Sequence, residues 1–262
     1  MKEIFLPNQD YCLYISGLGF IITAAMVFPL ARIKEETIPW MYLALFSLLY
    51  GLSEWFGSLA LGFGSYRIFP TVRVALIALS FLNLLEFGRS GIAAINRRVP
   101  GRWIHAPLMV LGLGGGIFGL DGMNASMHYF MGFPGGLWAG WVLWRYRGRY
   151  IKRKSIMVLG AIMPVMGGMT ILIMPPPAPF FPASIVNEAL FLETIGFPAH
   201  LLQGILALFA AVIVWRYTWS LRQTIPAPAK RKRILAEVSL LMLFFLIIIA
   251  GWKISDFSGK EK

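Results

Sequence analysis

Apolar stretches of membrane-spanning length recur along the chain, separated by breaks that are alternately strongly basic and nearly free of charge. A helix needs ~20 residues to cross the hydrocarbon core of a bilayer. On that measure the pattern predicts spans over 12–31, 40–63, 70–88, 104–122, 124–144, 155–174, 199–217 and 234–252. The expected fold is all-α, a polytopic membrane helix bundle of about eight transmembrane helices. The two longest breaks, 175–198 and 218–233, are too short to hold a soluble domain, so 1–262 reads as a single membrane domain. No internal repeat marks two related halves, which disfavours a transporter built that way.

Composition agrees with the pattern. Hydrophobic residues make up 58% of the chain and its mean hydropathy is +0.69, more apolar surface than one water-soluble core of 262 residues would bury. Charge then orients the bundle. Eighteen of the 24 Lys and Arg residues lie in alternate breaks, from Arg32 and Lys34 through Arg89 to Arg102 and Arg145 to Lys154, and on to Arg216 to Arg233. Basic connections stay on the cytoplasmic side, which puts both termini outside the cytoplasm. The expected location is the cytoplasmic (inner) membrane of a bacterium. The net charge of +12 reads as topology signal and contact with anionic lipid headgroups. Nucleic acid is not an expected partner, because no aromatic-interleaved basic patch accompanies the charge. The first span has a scarcely basic leader and no clean cleavage site, so it is expected to be retained.

Cys12 is the sole cysteine, which excludes an internal disulfide and a thiolate metal cluster. His105 falls near the cytoplasmic face, and His128 and His200 near the outer one, so no metal or other cofactor is expected. Trp40 and Trp103 at inner boundaries and Trp252 at an outer one read as interface anchors.

Two regions depart from plain spans. The 175–198 connection opens with a proline run and continues as PASIVNEALFLETIGFP, which predicts a short interfacial helix at the outer face, capped by Ser184 and ended by Gly196. Phe181, Ile185, Leu190 and Leu192 would face lipid or bundle, and Asn187, Glu188 and Glu193 water; the segment is a lid over the bundle or a structured linker. Spans four and five are rich in glycine at four-residue spacing, as in Gly112/Gly116, Gly115/Gly119 and Gly136/Gly140, a close-packing signal. Pro134 and its glycine neighbours offer a second role, unwinding span five so that carbonyls face a cavity.

Ionisable residues inside spans are expensive and so are candidates for function. Glu54 lies past the middle of span two, with Ser47, Tyr50 and Ser58 on the same arc. Span three carries Arg73, Ser80, Asn83, Glu86 and Ser90 as a matching stripe. Glu54 and Arg73 would meet in the outer half of the membrane, as a structural ion pair or a ligand site. Glu86 reads as a structural charge near the inner face, within reach of Arg89 or Arg97. Asp121 and His128 flank an expected outer turn, DGMNASMH, and with Asn187 complete the ligand candidates. The chain has no nucleophile–base pair, phosphate loop or catalytic carboxylate pair, so no enzyme activity is expected.

LLYGLSEWFGSLAL at 48–61, ALSFLNLLEFGR at 78–89, and 181–217 with the closing AGW at 250–252 resemble the multi-pass N-terminal membrane sensor regions of bacterial histidine kinases and diguanylate cyclases. In such proteins further sensory and output domains follow. This chain ends at SDFSGKEK without a phosphoacceptor helix, an ATP-binding domain or a cyclase domain, so the resemblance implies no kinase or cyclase activity here. It implies either the membrane part of a longer receptor or a free-standing form that signals through a partner protein. Two functions follow as expectations. One is a sensory or partner-binding module that detects a ligand, lipid or protein at its outer side and relays it by helix displacement, in contact with membrane lipids and as a possible homo-oligomer. The other is a small transporter or channel using the polar seam between spans two and three.

Overall fold

The computed structural model describes residues 9–33, 37–63, 68–95, 98–146, 153–173 and 180–222. Nine α-helices account for most of them: α1 (Gln9–Val27), α2 (Trp40–Phe63), α3 (Ile68–Ile95), α4 (His105–Gly114), α5 (Gly119–Met127), α6 (Phe133–Arg145), α7 (Arg153–Leu172), α8 (Glu188–Ile195) and α9 (Ala199–Arg222). Among the described residues there is no strand. Six helical stretches are long and apolar enough to cross a membrane: 9–32, 40–61, 68–95, 102–145, 154–172 and 199–221. The protein thus has the make-up of a multi-pass membrane protein. The expected eighth span at 234–252 lies outside the described residues, as does Trp252.

Neighbouring helices form a closed ring, α1 against α2, α2 against α3, α3 against α6, α6 against α7, α7 against α9 and α9 back against α1. Paired glycines set close contacts on both sides of α1. A methyl group on Gly19 would stand 2.6 Å from the Gly204 carbonyl oxygen, and one on Gly51 2.7 Å from that of Gly17. Glycine therefore lets α1 approach both flanking helices almost backbone to backbone. Thr23 adds a hydrogen bond across the α1–α9 seam, its hydroxyl donating to the Ala207 carbonyl at 2.7 Å. The core is aromatic and fully buried, with Phe20, Phe81, Phe87, Trp40 and Tyr50 among its largest side chains. Trp40 is thus not an interface anchor. It packs between Phe87 and Tyr217, whereas Trp103 is 69% exposed.

The 102–145 stretch is a hairpin rather than one long rod. Gly112 faces Met127 and Met131 and Gly115 faces Ser126, contacts that a straight helix would put well over 15 Å apart. The reversal occurs at Gly119, whose φ of +83° is open to glycine at little cost. This corrects the expected turn at 121–128. Asp121 to Met127 are helical, with Asp121 exposed in the first turn of α5, where a carboxylate suits the positive end of the helix dipole. Pro134 does not unwind its helix either. Residues His128 to Gly132 form a π turn in which the Phe133 N–H reaches back to the His128 carbonyl, and the helix then runs on through the proline. Since proline offers no N–H and crowds the carbonyl four residues back, widening the preceding turn is a way to keep the ladder going. α4 packs chiefly on α5 and this π turn and leaves Val110 68% exposed, and Ile117 in the 3-10 turn that follows is 82% exposed, an apolar surface suited to lipid.

Candidate functional site

Polar chemistry collects at two opposite ends of α3. At the first end, α2 supplies Glu54, α3 supplies Arg73, α8 supplies Glu188 and α9 supplies His200. Glu54 is 1% exposed. An Arg73 terminal nitrogen stands 3.5 Å from its Oε1, and His200 Nδ1 stands 2.8 Å from its Oε2. Neither approach has the alignment of a hydrogen bond, so the carboxylate is held by charge and proximity. On the far side of the ring, His200 Nε2 lies 3.8 Å from a Glu188 oxygen. Gly57, one turn beyond Glu54, makes room for the Arg73 guanidinium, which would sit 3.0 Å from a methyl group added there.

The seam continues inward by one helical turn on each of two helices. Tyr50 lies four residues before Glu54 and Gln203 three residues after His200, and the buried Tyr50 hydroxyl donates to Gln203 Oε1 at 3.3 Å. His128, 2% exposed, sits edge-on to Phe81 at 4.9 Å and to Tyr50 at 6.3 Å between ring centroids. Its Nδ1 has no hydrogen-bond partner.

A cavity of about 180 Å³ opens beside Arg73, His200 and Glu188. Gln9, Cys12 and Leu13 of α1, Leu61 of α2 and Leu192 of α8 contribute to its wall, so five helices border one small volume. The segment that roofs it is ordered by a cap. Asn187 Oδ1 accepts from the Leu190 N–H at 3.1 Å, Gly196 ends α8 in the left-handed conformation with φ of +73°, and α9 starts after Pro198. Asn187, not Ser184, is the cap, and it is 7% exposed, busy with backbone rather than with water. The residue it sets in place, Glu188, is the one that reaches the cavity.

The other end is a structural knot around Glu86. Arg89 makes two hydrogen bonds to its carboxylate at 2.6 and 2.7 Å, Ser90 donates to it at 2.9 Å, and His105 Nε2 lies 2.7 Å away. Arg102 adds a looser contact at 3.4 Å and Arg89 also donates to the Pro100 carbonyl. Arg97 lies outside the described residues. The knot fastens the 98–105 connection to α3. Glu86→Ala is expected to raise deuterium uptake at 98–104 sharply, and unchanged uptake would show that the connection is held by other contacts.

Of the residues singled out by sequence, Glu54, Arg73 and His128 converge on one end. Asn83 does not join them: it is half-buried and donates to its own helix at the Leu79 carbonyl. Nor does Asp121, which is exposed on α5, or Asn187, which acts through Glu188. His128 lies deeper than its expected place at an outer turn, because the turn is at Gly119, nine residues earlier. His200, Gln203 and Glu188 were not among the sequence candidates for this cluster. The i, i+3 pair His200/Gln203 near the start of an apolar span is a usable signal, but its partners on α2 are some 150 residues away in sequence. Among the described residues no three His, Cys, Asp or Glu side chains converge as a metal-ligand set. Compared with known proteins, the chain matches no family model, no curated protein and no solved structure.

Proposed function

We propose that this chain is a sensory module of the bacterial cytoplasmic membrane, crossing it eight times with both termini outside, which detects a small polar ligand at the Glu54 end and relays binding as helix displacement to a partner protein. One observation carries the reading. The cavity is bordered by α1, α2, α3, α8 and α9, so an occupant touches five helices at once and every one of those contacts is a lever on the ring. Under the basic-inside topology that end faces outward, and α8 is its lid.

The transporter alternative needs a polar path from one end to the other. Between the Glu54 cluster and the Glu86 knot lie the buried apolar side chains Ile77, Phe81, Leu84 and Leu85 on α3 and Phe46 and Leu43 on α2, and the buried hydroxyls of Ser47 and Ser80 there are spent on carbonyls of their own helices. That filling favours a relay over a passage. The test is a distance measurement at the end remote from the cavity. In a Cys12→Ser background, spin labels placed through Trp103→Cys and Trp219→Cys, both exposed positions, report the separation of the two far-end helices. Glu54→Gln is expected to shift that separation by ~1–2 Å, the scale of helix shifts in switching proteins. An unchanged distance distribution overturns the relay.

A further inference from the structure

The walls of the cavity say what kind of molecule it takes. Arg73 and Glu188 come from different helices, α3 and α8, and both line it. Each has capacity to spare. Arg73 reaches Glu54 through one terminal nitrogen at 3.5 Å, and its Nε is buried without a hydrogen-bond partner. Among the described residues Glu188 has the 3.8 Å approach to His200, which is beyond hydrogen-bond length. A simple cation would leave the spare donors of Arg73 unused and a simple anion would leave Glu188 without a counter-charge, whereas a molecule carrying both charges leaves the balance of the site unchanged and engages both walls. The start of α9, with Pro198 and His200 at the cavity, adds the positive end of a helix dipole on the Arg73 side of the chemistry. Leu13, Leu61 and Leu192 supply an apolar wall. The volume of about 180 Å³ is slightly above the ~150 Å³ that takes a benzene-sized guest, so the occupant has a short apolar body.

We infer that the cavity binds a small zwitterion with one carboxylate and one ammonium group on a short apolar body, its carboxylate on Arg73 and its ammonium on Glu188. The inference rests on the sensory reading and names the ligand class of the same site. Cys12, the one cysteine of the chain, lines the cavity and serves as the reporter. The full chain in lipid nanodiscs is treated with methyl methanethiosulfonate, and the rate of Cys12 modification is followed with L-valine, isobutyrate or isobutylamine present. The expected result is protection by L-valine at concentrations where the other two, each lacking one charge, give none. Glu188→Gln, a change at the rim that leaves the buried pair intact, is expected to weaken protection by at least about tenfold, as loss of one charged hydrogen bond should. Protection by isobutylamine or isobutyrate equal to that by L-valine overturns the zwitterion. Modification that none of the three slows overturns it too, while leaving an open cavity and the sensory reading in place. Cys12 is 5% exposed, so where it is not modified Leu61→Cys on the same wall, 48% exposed in the wild type, serves as the reporter; modification of neither means a closed cavity, and then both readings fall.

Discussion

Replacing Arg73 by leucine destabilises the bundle by about 3–5 kcal/mol, the cost of stranding one member of a buried ion pair, and adding Glu54→Gln to the same chain recovers most of the loss. The sign of that recovery is the point. Glu54 is 1% exposed, neither of its oxygens has an aligned hydrogen bond, and its charge is tolerated because Arg73 and His200 stand at 3.5 and 2.8 Å. With Arg73 gone the carboxylate keeps His200 at 2.8 Å, which supplies a full counter-charge only as the imidazolium. Neutralising Glu54 removes the charge that needed a partner, so the double variant should be more stable than the single. Denaturant unfolding in micelles of the wild type, both single variants and the double closes the cycle. A double variant no more stable than Arg73→Leu would mean that His200 alone holds Glu54 and that Arg73 belongs to the cavity rather than to the carboxylate.

The bundle was legible in the sequence to the extent that lipid dictates it. Residues 40–63 were read as a span and form α2 over the same range, because an unbroken apolar run has no other way to satisfy its backbone in a bilayer. Span three is expected to end at 88, yet α3 continues to Ile95. The polar residues just past that point, Arg89 and Ser90, bond back to Glu86 along the helix, so polarity there does not break it. The turn between spans four and five was placed on the polar run 121–128, whereas a positive φ requirement put it on Gly119. Glu54 and Arg73 were recognisable as a pair since they sit on sequential antiparallel helices. The rest of the site was not, because closure of the ring by α9 against α1 is a long-range outcome of small-residue packing at Gly19 and Gly204. That contact, with the Thr23–Ala207 and Tyr50–Gln203 hydrogen bonds, brings His200 beside Glu54.

Small-residue packing is also where the largest purely steric effect is expected. Gly136→Val should cost at least about 2 kcal/mol, since the added carbons meet backbone that has nowhere to go. A Cβ on Gly136 would stand 2.6 Å from Gly167 Cα and 3.0 Å from the Met163 carbonyl oxygen, and one turn on, a Cβ at Gly140 would stand 2.4 Å from the Pro164 ring. The α6–α7 contact is thus glycine against glycine, then glycine against proline, and a branched side chain must pry the two helices apart. Separation would propagate, because α6 also packs on α3 and α7 on α9, so that one further helix contact on each side of the break is strained. Gly168 is the internal control. It follows Gly167 on the same helix, and a Cβ there meets nothing within 4 Å. Gly168→Ala should therefore be neutral or stabilising by up to ~1 kcal/mol through helix propensity alone. Thermal unfolding of the two variants in the same detergent decides the matter: a large fall for Gly136→Val beside none for Gly168→Ala assigns the effect to the helix contact, whereas equal falls would mean that α7 needs its glycines for backbone freedom rather than for the closeness of α6.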